Sequence, residues 1–322
     1  SVHRIAASLD GTIELTCGAF SSDPERSRAS GADLLLPENR VYGDYHEMIE
    51  REVALPADEK MDFVTIVTPN DQHCGPAKLA LEAGFPVMCD KPLCLNMEEA
   101  KELEAMVEKT GLLFGLTHNY TGYPMVKEAR QRVRTGELGK IRRVVAEYSQ
   151  GWLATRLEST GQKQASWRTD PKRAGASCCV GDIGTHAANL TEYVTGLPIE
   201  EVSAELSTFV EGRRLDDDAS VLLRLADGTR GVLWASQIAI DDENADPVQS
   251  KMGGHIDDCC RFSDATFLIH DSHDARTIRR SWLPSWKFNF WTRFGGTQWI
   301  GFRDSNLFLG EFDHQGRGYR LR

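Results

Sequence analysis

The sequence predicts an α/β fold in two parts: a parallel-sheet domain with helices on both faces, then an α+β domain on an open antiparallel sheet. Three observations carry this. Short β-branched runs alternate with helix-like segments over residues 1–120, the rhythm of strand–helix–strand units. After about residue 140 the rhythm changes to strands of alternating polarity, two of them flanking a hairpin turn. The chain has 322 residues, 41% of them apolar, and about 150 residues per domain leaves room for two cores.

Each element has its own signal. Residues 5–9 read as the end of a helix and 13–19 as a strand. Asp23 is placed to cap a helix with Pro24 at its first position. Val41-Tyr42 is a short strand and 45–52 a helix. Residues 63–68 are rich in β-branched side chains, as a strand buried on both faces should be, and Pro69 and Asn70 stop it. A helix over 74–83 closes at Gly84. Strands at 86–89 and 112–117 flank a helix over 97–109. In the second part, 141–148 and 202–210 alternate like half-buried strands, with a helix over 182–193 between them. Strands at 220–225 and 230–236 flank the turn Ala226-Asp227-Gly228. From about residue 247 no sustained period remains, although Trp282, Trp286, Trp291 and Trp299 fall there with the Arg-rich end 316–320. The expected division is therefore 1–120, 121–246 and a divergent segment 247–322.

Composition narrows the function. Lys plus Arg number 37 against 48 Asp plus Glu, a net charge of −11 that argues against nucleic acid as a partner. No apolar run is long enough for a membrane helix, and the first residues lack a signal-peptide core. The eight Cys are scattered, with Cys178-Cys179 and Cys259-Cys260 adjacent; this is neither a disulfide scaffold nor a zinc spacing, and it predicts a cytoplasmic protein. His270-Asp271-Ser272-His273 reads as a polar loop, and no metal is expected.

Three clusters could carry chemistry. In Gly181-Asp182-Ile183-Gly184-Thr185-His186 the acid and the imidazole are four apart, on one face of a helix. A carboxylate beside an imidazole makes a proton shuttle; the structural alternative is a helix capped by Asp182 with His186 in the core. Cys89-Asp90-Lys91-Pro92 follows a buried strand, so Lys91 stands where open α/β sheets bind ligands, or is an ordinary turn lysine. Thr68-Pro69-Asn70-Asp71-Gln72-His73 also follows a strand, and lines a crevice or forms a turn and cap.

Taken together the clusters resemble a known family. Val67-Thr68-Pro69-Asn70-Asp71-Gln72-His73, Ala80-Leu81-Glu82-Ala83-Gly84 and Asp90-Lys91-Pro92-Leu93 are similar to the nucleotide-domain signature of the Gfo/Idh/MocA oxidoreductases, with Asp90 where the family usually has Glu. Gly136-Glu137-Leu138-Gly139-Lys140-Ile141 resembles the entry into their second domain, and the Asp182–His186 run their catalytic helix. The resemblance covers about residues 1–245. It implies a Rossmann domain followed by an α+β domain with a large open sheet, and hydride transfer between a sugar or polyol carbon and NAD or NADP.

By that resemblance His186 takes the substrate hydroxyl proton, Lys91 hydrogen-bonds the same oxygen, and Asp182 orients them. Hydride leaves carbon more easily as the oxygen loses its proton, and an ammonium stabilises the developing alkoxide. Cofactor contacts are implied at Ser21, Ser22, Arg26, Thr68, Pro69, Asn70, His73, Asp90, Lys91, Trp167 and Arg168. Substrate contacts are implied at Asn119, Tyr120, Gln150 and Trp152, besides Lys91, Asp182 and His186. Tyr148-Ser149-Gln150-Gly151-Trp152 is most similar to the sugar dehydrogenases, levoglucosan-type enzymes included. Ser21, Ser22 and Arg26 suit a 2′-phosphate, which favours acceptance of NADP. The family's open sheet implies a homodimer or tetramer.

Two departures stand out. The family's glycine-rich G-x-G-x-x-G loop is absent, and the first residues match the helix that follows it. The expectation is an N-terminally truncated chain that binds dinucleotide less well. Beyond residue 247 the family's remaining sheet strands are not recognisable. The alternative function is therefore a non-catalytic ligand-binding relic or an inactive truncated product.

Overall fold

The structure, a computed structural model, describes residues 2–239 and, beyond them, the strand backbones 265–270, 290–294, 298–303, 306–312 and 318–320. These fall into two compact units, the first running to Thr117 and the second starting at His118.

The first unit contains helices α1 (Val2–Ser8), α2 (Pro24–Asp33), α3 (Tyr45–Val53), α4 (Cys74–Glu82) and α5 (Met97–Thr110). Strands β1 (Val64–Ile66), β2 (Val87–Cys89) and β3 (Phe114–Leu116) form a parallel sheet in that order. The crossovers are α4 and α5, as parallel pairing requires. The helix ends follow the sequence signals. Asp23 accepts from the Glu25 and Arg26 amides, with Pro24 opening α2. Asn96 accepts from Glu99 N while Glu99 reaches back to Leu95 N, and Gly111, at φ 66°, closes α5. Ile49, Ile66, Leu81, Phe85, Val87 and Leu103 centre the core.

The strand expected over 13–19 does not form. Only Gly18 bridges, to Val41, and Ile13 and Leu15 stay exposed; Val41-Tyr42 likewise contributes that single bridge. Parallel pairs are weak unless flanked by further strands, and the β-branched pattern cannot supply a partner.

The second unit contains α6 (Pro124–Arg134), β4 (Arg143–Ser149), the short helices α7 (Lys163–Arg168) and α8 (Pro171–Ala174), then α9 (Thr185–Thr195). Strands β5 (Ile199–Ser207), β6 (Asp218–Leu225) and β7 (Arg230–Ser236) follow, then β8 (Ala265–His270), β9 (Phe290–Phe294), β10 (Gln298–Arg303), β11 (Asn306–Phe312) and β12 (Gly318–Arg320). They make one nine-stranded sheet, in the order β12-β11-β10-β9-β8-β4-β7-β6-β5. Val144, Ala146 and Tyr148 of β4 share a core with Ala187, Leu190 and Val194 of α9 and Val126 and Ala129 of α6.

Three expectations are corrected here. The sheet is mixed rather than antiparallel, because β4 pairs β7 in parallel, and β8 pairs β9 in parallel. The first of these pairs is bridged by the long excursion through α7–α9 and the β5–β6 pair. β5 alternates in sequence yet is exposed along both faces, with Val202 65% and Leu206 53% exposed. It is the last strand of the sheet, so it has a neighbour on one side only. Finally, the patternless stretch after residue 247 supplies five strands that join this sheet. Cys259-Cys260, Asp271-Ser272-His273, Trp282 and Trp286 lie outside the described residues.

Candidate functional site

In the first unit the three parallel strands present their carboxyl ends on one edge, the edge at which open α/β sheets bind ligands. The turns leaving them are stitched together: Asp90 N donates to Ile66 O, and Thr117 N to Cys89 O, each at 2.9 Å. The Asp90 carboxylate accepts from Thr117 Oγ1 at 2.6 Å and lies 3.0 Å from His3 Nε2 on α1. Burial pushes the Asp90 carboxyl up, but the bonds from His3 and Thr117 and the nearby imidazoles outweigh it and hold it below the ordinary range. Lys91 follows, joined to Pro92 by a cis peptide bond. Thr68 Oγ1 donates to Gln72 O, and Asn70 is buried in the short turn after Pro69. His73 is fully buried, with Nδ1 2.8 Å from Pro92 O and Nε2 2.9 Å from Thr68 O. Its side chain is thus spent inside the unit. Ser21, which takes a bond from Asp23 N, and the exposed Ser22 and Arg26 stand at the start of α2. Burial pushes the Cys89 thiol up to about 12, which leaves it a packing group rather than a nucleophile.

In the second unit His186 sits in the first turn of α9, 5% exposed. Its ring lies 4.6 Å from that of Tyr120, 5.5 Å from His118 and 6.1 Å from Tyr148, centroid to centroid. The Tyr120 and Tyr148 hydroxyls share a hydrogen bond of 2.6 Å. Asp182 does not open an α-helix as the spacing suggests. It lies in a π-helical turn, Val180–Gly184, that leads into α9, a wider turn that recurs at functional sites. Its Oδ2 accepts from Gln237 Nε2 at 2.9 Å and Arg168 Nε at 3.2 Å. The Arg168 guanidinium lies over Trp167 at 4.2 Å and Trp152 at 5.9 Å. Trp152 Nε1 donates to Gln150 Oε1 at 2.9 Å. Six sequence-predicted residues, Asp182, Arg168, Trp167, Trp152, Gln150 and His186, therefore stand in this unit with Tyr120, while Asn119 is exposed beside it.

Sequence reasoning missed Gln237, Tyr148 and His118. Gln237 is fully buried just past β7, where the strand pattern has ended and no local signal marks it. Tyr148 reads as one more inward residue of β4, and its hydroxyl contact comes from 28 residues away.

The first unit's edge fits a dinucleotide. Three strand ends and their polar turns converge there, with a lysine and a carboxylate in the same turn. Among the described residues no group of three or more His, Cys, Asp or Glu is arranged for a metal ion. Among the same residues no helix is long and apolar enough to cross a membrane.

Residues 5–118 match the oxidoreductase family with the NAD-binding Rossmann fold, and residues 126–250 match the GFO/IDH/MocA C-terminal domain. The chain belongs to the Gfo/Idh/MocA family. It is 35% identical over 239 residues to the uncharacterized oxidoreductase YfiI of Bacillus subtilis (strain 168), covering 73% of this chain and 60% of that protein. It is 31% identical over 189 residues to levoglucosan dehydrogenase of Pseudarthrobacter phenanthrenivorans, covering 58% of this chain and 45% of that one. The chain thus spans less than two thirds of these relatives. Among solved structures, an inositol dehydrogenase homolog complexed with NAD+ from Azotobacter vinelandii aligns with TM-score 0.77 at 29% identity, covering 99% of this chain and 71% of that one. This Gfo/Idh/MocA chain is accordingly an α/β protein of an NAD-binding oxidoreductase family.

Proposed function

We propose that the chain oxidises a secondary hydroxyl of a sugar or polyol, with NAD or NADP as the hydride acceptor. The observation that carries this is the setting of His186: a buried imidazole walled by Tyr120 and Tyr148, one helical turn after a carboxylate held by Gln237 and Arg168. His186 accepts the hydroxyl proton. Asp182, held by Gln237 and Arg168, fixes the electrostatics of that turn. Lys91 donates to the substrate oxygen and stabilises charge as the proton departs. The nicotinamide ring, when bound, supplies the hydride acceptor. Asp90, Thr68, Pro69 and Asn70 hold the cofactor at the sheet edge, with Ser21, Ser22 and Arg26 near the ribose, where they also accommodate a 2′-phosphate. Trp167 and Arg168 complete the cofactor contacts. Asn119, Tyr120, Gln150 and Trp152 bind the hydroxyls and ring of the substrate.

The levoglucosan and inositol relatives support a polyhydroxylated ring as the substrate class. The same reading places the protein in the cytoplasm as a homodimer or tetramer formed over the open sheet face, where Leu222 is 61% exposed.

A screen of cyclic polyols and sugars against NAD+ and NADP+, followed by reduced-cofactor absorbance, tests the reading. Lys91→Met and His186→Ala each lower kcat by about a hundredfold or more, the scale of a lost general acid–base or charge-stabilising group, while NADH still binds. A loss below about twofold in either variant removes that residue from the reaction.

A further inference from the structure

His73 is a buried titratable group that the proposed reaction does not use. Both of its ring nitrogens face carbonyl oxygens, Nδ1 that of Pro92 at 2.8 Å and Nε2 that of Thr68 at 2.9 Å. The two carbonyls belong to different turns. Thr68 lies just past β1, and Pro92 directly follows Lys91 in the turn after β2. Backbone bonding between these strand ends stops at Asp90 N to Ile66 O. Beyond that point the His73 ring links the two turns.

We propose that His73 is a positioning residue for Lys91: its ring, within hydrogen-bond reach of both turns, holds the Pro92 carbonyl against the Thr68 turn and so fixes the backbone from which Lys91 projects. The inference rests on the role given to Lys91 above. Charged and titratable groups lie on the segments next to the ring. Asp90 at the end of β2 interacts electrostatically with it and is itself held by His3 of α1 and Thr117 after β3. Asp71 lies in the preceding turn, Cys74 opens α4, and Lys91 precedes Pro92.

Two measurements test the proposal. The first is nitrogen NMR of the histidine-labelled chain near neutral pH. The expected result is a His73 ring N–H protected from solvent exchange and coupled across a hydrogen bond to the Pro92 or Thr68 carbonyl; a ring that exchanges freely with solvent overturns the proposal. This readout needs no turnover, so it stands apart from any failure to find a substrate, which would sink the proposed function alone. The second is a double-variant cycle on kcat. His73→Phe is expected to lower kcat by about tenfold or more, as a slightly misplaced group does, and the His73→Phe/Lys91→Met pair to fall no further than Lys91→Met alone. Losses that multiply would mean that His73 acts independently of Lys91. Should His73→Phe fail to fold, His73→Gln takes its place: its amide still donates to the turn carbonyls, so kcat is retained within about threefold. A larger loss overturns the proposal.

Discussion

Glu52 shows at the scale of one residue what a sequence conceals. It is fully buried, yet it accepts from Arg40 Nε and Nη2 at 2.9 Å each, Tyr42 OH at 2.6 Å and Met61 N at 3.0 Å. In the sequence it is one more charged residue at the end of a helix, because its partners come from other segments. Burial pushes its carboxyl up, and the bonds from Tyr42, Met61 and Arg40 more than reverse this, so its folded pKa lies below the ordinary value. A depressed folded pKa contributes stability that is complete above the unfolded value of about 4.3 and is lost as pH falls through the folded value. Acid titration of thermal melting should therefore show a fall below about pH 4.3 that is shallower in Glu52→Gln. At neutral pH that variant should cost about 3 kcal/mol by urea unfolding, because Arg40 is left without its charge partner. Gln237 was equally hidden. Gln237→Leu should lower kcat about tenfold with cooperative melting intact, since it releases a donor on Asp182.

At the scale of elements, local signals were legible wherever local bonds decide the outcome. Asp23, Asn96 and Gly111 do at the ends of α2 and α5 what their residue types predict. Asn96→Ala should cost about 1 kcal/mol in urea unfolding, the usual value of a lost cap; no change would mean that α5 is held by packing alone. Pattern failed where pairing decides. Residues 13–19 have strand composition but one bridge, and β5 has the alternation of a half-buried strand but lies exposed at the sheet's end. The π-helical turn at Val180–Gly184 escaped because its residues read as an ordinary helix start. The loop before β6 depends on the fully buried Arg213, which binds Glu158, Asp217 and the carbonyls of Leu153 and Thr155. Arg213→Met leaves Asp217 buried without that partner and should cost about 3–5 kcal/mol.

At the scale of the whole molecule, the two-part fold was legible because a change of rhythm survives the loss of detail. The parallel order β1-β2-β3 follows from strands alternating with helices, and the motifs at the strand ends follow from where parallel strands stop. The extent of the second sheet was not legible, since β8–β12 carry no clear alternation and join it through partners far away in sequence. The proposed reaction depends on a nicotinamide cofactor binding to this chain. The most direct test is a fluorescence titration of the purified chain, and of its His186→Ala variant, with NADH and NADPH. A saturable change in both proteins, with one cofactor binding more tightly, is the predicted result. A cooperatively folded chain that shows no saturable change with either cofactor would contradict the account.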